Sequence, residues 1–265
     1  MKQQFERLLV EQRRQWYNSA FRIAVVAPII VICFFYVGMF DRARMLGGIP
    51  SILSLMAESM PPNFSEAADW IKPLADTLAM SIAGTAIAVG LSLPLAFLAA
   101  RNTSPHPVVY QLTRGLFNAL RSVPELIMGI IFVAAVGFGA LPGVLALGLH
   151  SVGMVGKFFA ESVEHVAEGP VEAVRAVGAR PVQVVIHGVL PQVLSQIADV
   201  SLYRWEYNFR ASTVMGMVGA GGIGFELMSS LRLMQYRHVS AILIVILLTV
   251  TMVDSFGARL RRHFK

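Results

Sequence analysis

Three long apolar blocks, Phe21 to Phe40, Leu74 to Ala100 and Val239 to Phe256, constrain this chain more than any other feature. A helix needs about 20 mostly apolar residues to cross the hydrocarbon of a bilayer, and each block supplies close to that. Their apolar residues run continuously instead of alternating or forming one helical stripe, so each helix seeks an apolar surrounding on all sides. Only 14% of the 265 residues are charged, against about 25% in soluble domains, and the mean hydropathy is +0.63. An ordinary water-soluble domain is excluded. The expected fold class is all-α, a polytopic membrane helix bundle in one domain.

Leu126 to Val136 and Gly143 to Phe159 read as a hairpin of two further spans, broken where Gly137, Gly139 and Pro142 punctuate the pattern. The stretch from Pro191 to about Val218 supplies another crossing, although it carries Asp199, Arg204, Glu206 and Arg210. Lys2, Arg7, Arg13, Arg14 and Arg22 precede the first span, and Arg259, Arg261, Arg262 and Lys265 follow the last. The positive-inside rule therefore puts both termini in the cytoplasm, which requires an even number of spans, about six. The loops with Arg101, Arg114 and Arg121, and with Arg175 and Arg180, then also face inward, and Asp41 to Lys72 faces outward. Within residues 1–20, Phe5, Leu8, Leu9 and Trp16 fall at helical intervals among basic residues, which predicts a helix lying on the inner membrane surface. No small-residue cleavage site follows the first span, so it is expected to stay in place. The single cysteine, Cys33, gives no disulfide or metal cluster within one chain.

Nucleotide hydrolysis has no machinery here. Gly153, Gly156 and Lys157 lack the spacing of a phosphate-binding loop, and Phe158 stands where a Ser or Thr is needed. Gly219, Gly221 and Gly224 do satisfy Gly-x-Gly-x-x-Gly, but a dinucleotide site also needs a preceding strand and an acidic residue about 20 positions on. Residues 236–247 contain no Asp or Glu. In a membrane bundle the cluster reads either as close helix packing or as irregular backbone facing a cavity. The second is favoured, because Met215, Met217 and Met228 flank it with side chains able to repack around a changing constriction.

Ionisable residues within a span usually face the bundle interior or a water-filled path, which makes Asn208, Arg210, Ser212 and Thr213 candidates. An arginine among hydroxyls and amides suits a tetrahedral oxyanion, since its planar fork offers several donors and is always charged. The alternative is an ion pair of Arg210 with Glu206, one helical turn away. His150 has no second ligand at metal spacing and is expected to be packed or hydrogen-bonded. Ser122, Pro124 and Glu125 resemble a capping box, so Glu125 reads as a helix cap. No catalytic pair emerges.

From Glu168 to Pro191 the chain is neither span nor featureless loop. Pro170 can open a short helix, Gly178 can end it in a left-handed conformation, and Pro181 can open a second. Such a pair can present Ala173, Val174 and Val177 to a groove on another protein.

The run Glu172-Ala173-Val174, then Gly178, then Gly188-Val189-Leu190-Pro191 resembles the signature of type I ABC importer membrane subunits, with Val174 in place of Ala and Gly188 in place of Ile. Within that group the chain is most similar to phosphonate importer permeases, through Asn208, Arg210, Ser212, Thr213 and the following Gly216, Gly219, Gly221, Gly222 and Gly224. Arg121 to Leu126 and Lys157 to Glu161 support the resemblance, which covers about Thr77 to Phe256. It implies a permease domain over residues 21–265 in the bacterial inner membrane, working as a homodimer with two cytoplasmic ATPase subunits and a periplasmic phosphonate-binding protein. ATP and Mg would be used by the ATPase, with no cofactor, metal or nucleic acid bound by this chain. Glu172, Ala173, Val174, Gly178, Leu190 and Pro191 would couple to the ATPase. Asn208, Arg210, Ser212 and Thr213 would line the path, and Met215, Gly216, Met217, Gly219, Gly221, Gly222 and Gly224 would form the gate. The Gly-rich part is shared with methionine importers, which leaves a methionine-type permease as the alternative. From a different class, a membrane enzyme acting on phosphorylated lipid should show paired acids or a nucleophile with its base, and neither occurs; a passive channel would need no docking loop.

Overall fold

In the computed structural model, which describes residues 2–264, every regular element is a helix. The chain divides into two compact units, Met1–Glu58 and Ser59–Lys265.

The first unit contains α1 (Lys2–Tyr36) and α2 (Arg42–Glu58). α1 is one continuous helix, and its apolar part, Gln15–Tyr36, is 22 residues long, enough to cross a bilayer. The side chains of Phe5, Leu8 and Leu9 lie outside the described residues, and Trp16 is exposed. α2 occupies part of what the sequence offers as an outward loop. Its start is set by Asp41, whose carboxylate accepts from the backbone N–H groups of Ala43 and Arg44 at 3.1 and 3.2 Å, an ordinary N-cap.

The second unit contains α3 (Ile71–Ala99), α4 (Pro107–Ser122), α5 (Glu125–Val136), α6 (Ala140–Glu164), α7 (Glu168–Ala176), α8 (Pro181–Val184), α9 (Leu190–Met215), α10 (Ile223–Arg232) and α11 (Tyr236–Phe264). A π-turn over Val185–Val189 joins α8 to α9, and a 3-10 turn over Gly216–Val218 ends α9. Among the described residues five helical runs are long and apolar enough to span, and α4 with α5 gives a sixth as a bent pair. α5 alone, read from the sequence as a complete span, has 12 residues and is only about 18 Å long, short of the roughly 30 Å hydrocarbon. The pair bends by 85°. Val123, held extended by the proline that follows it, ends α4, and Pro124 precedes the first residue of α5.

α3 and α6 form the centre. The buried residues of α3 include Thr77, Ser81, Thr85, Ala88, Ser92 and Ala96, a stripe of small side chains at helical spacing. Without a hydrophobic drive between helices in lipid, close approach of small residues is what joins them. Large apolar side chains such as Ile82, Leu91, Leu247 and Met252 point outward instead. At one end, Phe117, Phe159, Val163, Val171 and Val189 form a core that fastens α7 and the π-turn to the spans. At the other, Trp70, Ile223, Ala241 and Ile242 seat α10 and α11.

Candidate functional site

Three regions carry the residues singled out above. The first is the hairpin of α7 and α8, which follows the sequence reading: Pro170 lies in the first turn of α7, Gly178 has φ +80°, and Pro181 opens α8. Glu172, Ala173, Val177, Gly178 and Pro191 are exposed, and Leu190 is half-buried. Val174 differs from expectation. It lies three residues from buried Val171 on the inner face of α7 and packs against the core, so it supports the hairpin from beneath. Gln192 clamps the hairpin to α9, its Oε1 accepting from Ala167 N–H at 3.0 Å and its Nε2 donating to Gly188 O at 2.6 Å. Gly188 has a local reason: a Cβ there would lie 3.2 Å from Val171 Cα, so a bulkier residue would push α7 away. A cavity of about 550 Å³ opens beside the hairpin, lined by Asn102, Glu164, Glu172, Arg175 and Val189 among others.

The second region is the polar run of α9, which the structure does not bring together. Asn208 is fully buried, accepting from Ser151 Oγ at 3.1 Å and donating to Thr85 Oγ1 at 2.9 Å. Ser212, one turn on, is buried and donates to Thr77 O. Arg210 and Thr213 lie on other faces. The Thr213 hydroxyl bonds back to the Arg210 carbonyl at 2.6 Å. The alternative pairing of Arg210 with Glu206 does not form. Arg210 Nη1 donates to Asp254 of α11 at 2.8 and 3.0 Å, and Glu206 faces Arg261 of α11 at 2.7 Å. Partners on a facing helix displace the one along the same helix because both carboxylates already lie at the α9–α11 contact. The Glu206–Arg261 pair is an ion pair without an aligned hydrogen bond, and Glu206 is only 5% exposed.

The third region is the Gly-rich segment between α9 and α10. Gly219, Gly221 and Gly222 have φ of +98°, +74° and +73°, which only glycine adopts readily, so the break is truly irregular backbone. It is also tightly packed. A Cβ on Gly224 would run into the Thr213 carbonyl oxygen, and one on Gly216 would lie 2.5 Å from Phe225 N. Met215 is fully buried and Met217 is partly exposed. Thr77 Oγ1 accepts from Ile223 N–H at 2.9 Å and Gly139 N–H donates to Gly219 O at 3.2 Å, fixing both sides of the break. Close packing holds at Gly216 and Gly224, and the backbone is irregular at Gly219, Gly221 and Gly222.

Residues 92–265 match the family described as the inner membrane component of binding-protein-dependent transport systems. The chain belongs to this family. The permease is 68% identical over 250 residues to the phosphite transport system permease protein PtxC of Stutzerimonas stutzeri, covering 94% of this chain and 91% of that one. It is 40% identical over 223 residues to the phosphate-import permease protein PhnE of Mycolicibacterium smegmatis, covering 84% of this chain and 42% of that longer relative. In fold it is similar to a chain of the inward-facing MetNI methionine ABC transporter, with TM-score 0.65, 20% identity, and coverage of 74% of this chain and 96% of that one. The permease is thus a multi-span transport subunit of the ABC importer class, not an enzyme.

One constellation in the permease escaped the sequence reading. Glu125, expected as a cap, makes none: Pro124 precedes α5 without a side-chain cap, and Ser122 bonds back to Ala119 O inside α4. Instead the Glu125 carboxylate accepts from Tyr207 Oη at 3.0 and 3.2 Å and lies 3.4 Å from His150 Nε2. His150 is hydrogen-bonded as expected, its Nδ1 3.1 Å from Val123 O. Behind Tyr207 lies Arg204, 2% exposed, with its guanidinium 4.3 Å from the ring centroid. The available signal was the spacing of Arg204, Tyr207 and Asn208, which at i, i+3 and i+4 share one helix face.

Proposed function

We propose that this permease carries a phosphorus oxyanion, with phosphite first among the class and phosphonate and phosphate as the others, across the bacterial inner membrane. The observation that carries the reading is the 68% identity with a phosphite transport permease over nearly the whole of both chains. In this reading both termini face the cytoplasm, and residues 21–265 form the permease domain. The working unit is a homodimer with two ATPase subunits, which use ATP and Mg, and a periplasmic binding protein that selects the anion. Glu172, Ala173, Val177 and Gly178 meet the ATPase, while Val174, Leu190 and Pro191 support that surface. The Gly-rich segment from Met215 to Gly224 is the gate.

The test is ATP hydrolysis and uptake in liposomes holding the permease with its cognate ATPase and binding protein, challenged in turn with phosphite, a phosphonate, phosphate and methionine. Stimulation by a phosphorus oxyanion is expected. Stimulation by methionine alone, or by none of the four in an assembled complex, would refute the substrate reading. Deleting residues 171–178 should abolish ATP coupling and leave insertion intact.

A further inference from the structure

Resting on the oxyanion reading, we infer that Arg204 is the charge inside the bundle that the transported anion meets, with Tyr207 as its cover and Glu125 as the latch on that cover. Arg204 lies near the middle of α9, and Thr85 and Ser151 lie near the middles of α3 and α6. The polar layer they form with Asn208 therefore sits at mid-depth of the bundle, where transported groups are held in many carriers.

The state of the guanidinium sets this arginine apart. Arg204 Nε donates to Ser151 Oγ at 2.8 Å, Nη1 meets only the Met154 sulfur at 3.0 Å, and Nη2 is buried with no partner. Arg204 makes no ion pair among the described residues, whereas Arg114, Arg210 and Arg261 pair with Glu164, Asp254 and Glu206. Burying a cation without a counter-ion in contact is costly, the nearby Glu125 being taken up by Tyr207, and a neutral residue of the same volume would be more stable. A free edge of the fork at such a site suits an anion with several oxygens that arrives and leaves.

The cover is equally specific. The Tyr207 ring lies over the guanidinium, and its hydroxyl is held by both oxygens of Glu125. Glu125, His150 and Tyr207 are all half-buried, so the group lies between the surface of this chain and Arg204. While latched, the ring and the carboxylate keep an anion off. Releasing Tyr207 from Glu125 frees the ring to swing off the guanidinium and opens that face to an anion. Arg210 cannot take this role while Asp254 occupies its fork.

The test uses the reconstituted complex of permease, ATPase and binding protein with phosphite as the probe, recording uptake and ATP hydrolysis together. Arg204→Lys keeps the charge and loses the fork; Tyr207→Phe keeps the ring and loses the latch. For Arg204→Lys, hydrolysis should stay within about twofold of wild type while phosphite moved per ATP falls by about tenfold or more. A purely structural role would instead lower both together, and that result, or a wild-type ratio, overturns the proposal. Should Arg204→Lys fail to assemble, Tyr207→Phe decides: a change of about threefold or more in phosphite moved per ATP supports the latch, and an unchanged ratio overturns it. A wild-type complex that moves no phosphorus oxyanion refutes the substrate reading instead, a result distinct from variants that match a transporting wild type.

Discussion

Gly224→Ala tests whether the break between α9 and α10 is as tight as the structure makes it. The new Cβ would overlap the Thr213 carbonyl oxygen and lie 2.8 Å from the Thr213 carbonyl carbon and 3.2 Å from Gly216 Cα. All three atoms are backbone, so no rotamer change relieves them. Carbon atoms settle at about 3.5–4.0 Å, and α10 must therefore move off the end of α9, lifting Ile223 from its buried seat beside Trp70 and Ile242. Ordinary overpacking costs about 1–3 kcal/mol, and a backbone collision belongs at the upper end. At roughly 2–4 °C per kcal/mol, the melting temperature of the detergent-purified permease should fall by roughly 6–12 °C. Gly90→Ala is the control: nothing lies within 4 Å of its added Cβ and the site is mid-helix in α3, so it should be neutral or stabilising by about 0.5–1 kcal/mol. If Gly224→Ala melts within about 1 °C of wild type, the packing argument for the break is wrong.

Other outcomes follow from contacts already described. Arg261→Met should destabilise by about 3–5 kcal/mol by stranding buried Glu206, and adding Glu206→Gln should recover most of the loss in a double-mutant melting cycle. Thr77→Val removes the acceptor for Ile223 N–H, a loss of about 1–3 kcal/mol, so hydrogen exchange should show the amide at 223 losing protection while the α6 amides keep theirs. Gln192→Leu removes the clamp under the hairpin; with hydrogen bonds worth about 0.5–1.5 kcal/mol each, ATP-driven phosphite uptake should drop by roughly tenfold at unchanged membrane insertion.

The spans and the α7–α8 hairpin were legible because their causes are local: continuous apolar runs in one case, proline and glycine positions in the other. The signals failed where two local patterns competed or where the cause lay across the bundle. Pro124 can start a helix or break one, and the 85° bend shows that it does the second, leaving α5 too short to span alone. Ser122 spells the first letter of a capping box yet ends as the last residue of α4. α2 carries too few consecutive apolar residues to register as a span, and its Asp41 cap is visible only once a helix is assumed. Glu206 and Arg210 have ideal local spacing, but Arg261 and Asp254 sit more than 40 positions downstream, where no periodicity points to them. The pairing of Glu125 with Tyr207 spans 82 positions and was hidden for the same reason.

From Leu190 to Met215, α9 is a continuous helix of 26 residues, about 39 Å of rod. A rod conveys tilt instead of absorbing it. Arg204 lies about 21 Å along it from Leu190, so tipping the hairpin end by only about 8° carries that guanidinium roughly 3 Å sideways, a full hydrogen-bond length. The bond from Arg204 to Ser151 and the overlap with the Tyr207 ring depend on α6 and α9 keeping register to within that distance. The same stiffness that lets one end dock makes the other end a sensitive pointer, and a force too small to unfold any element is enough to reset the polar layer at mid-depth.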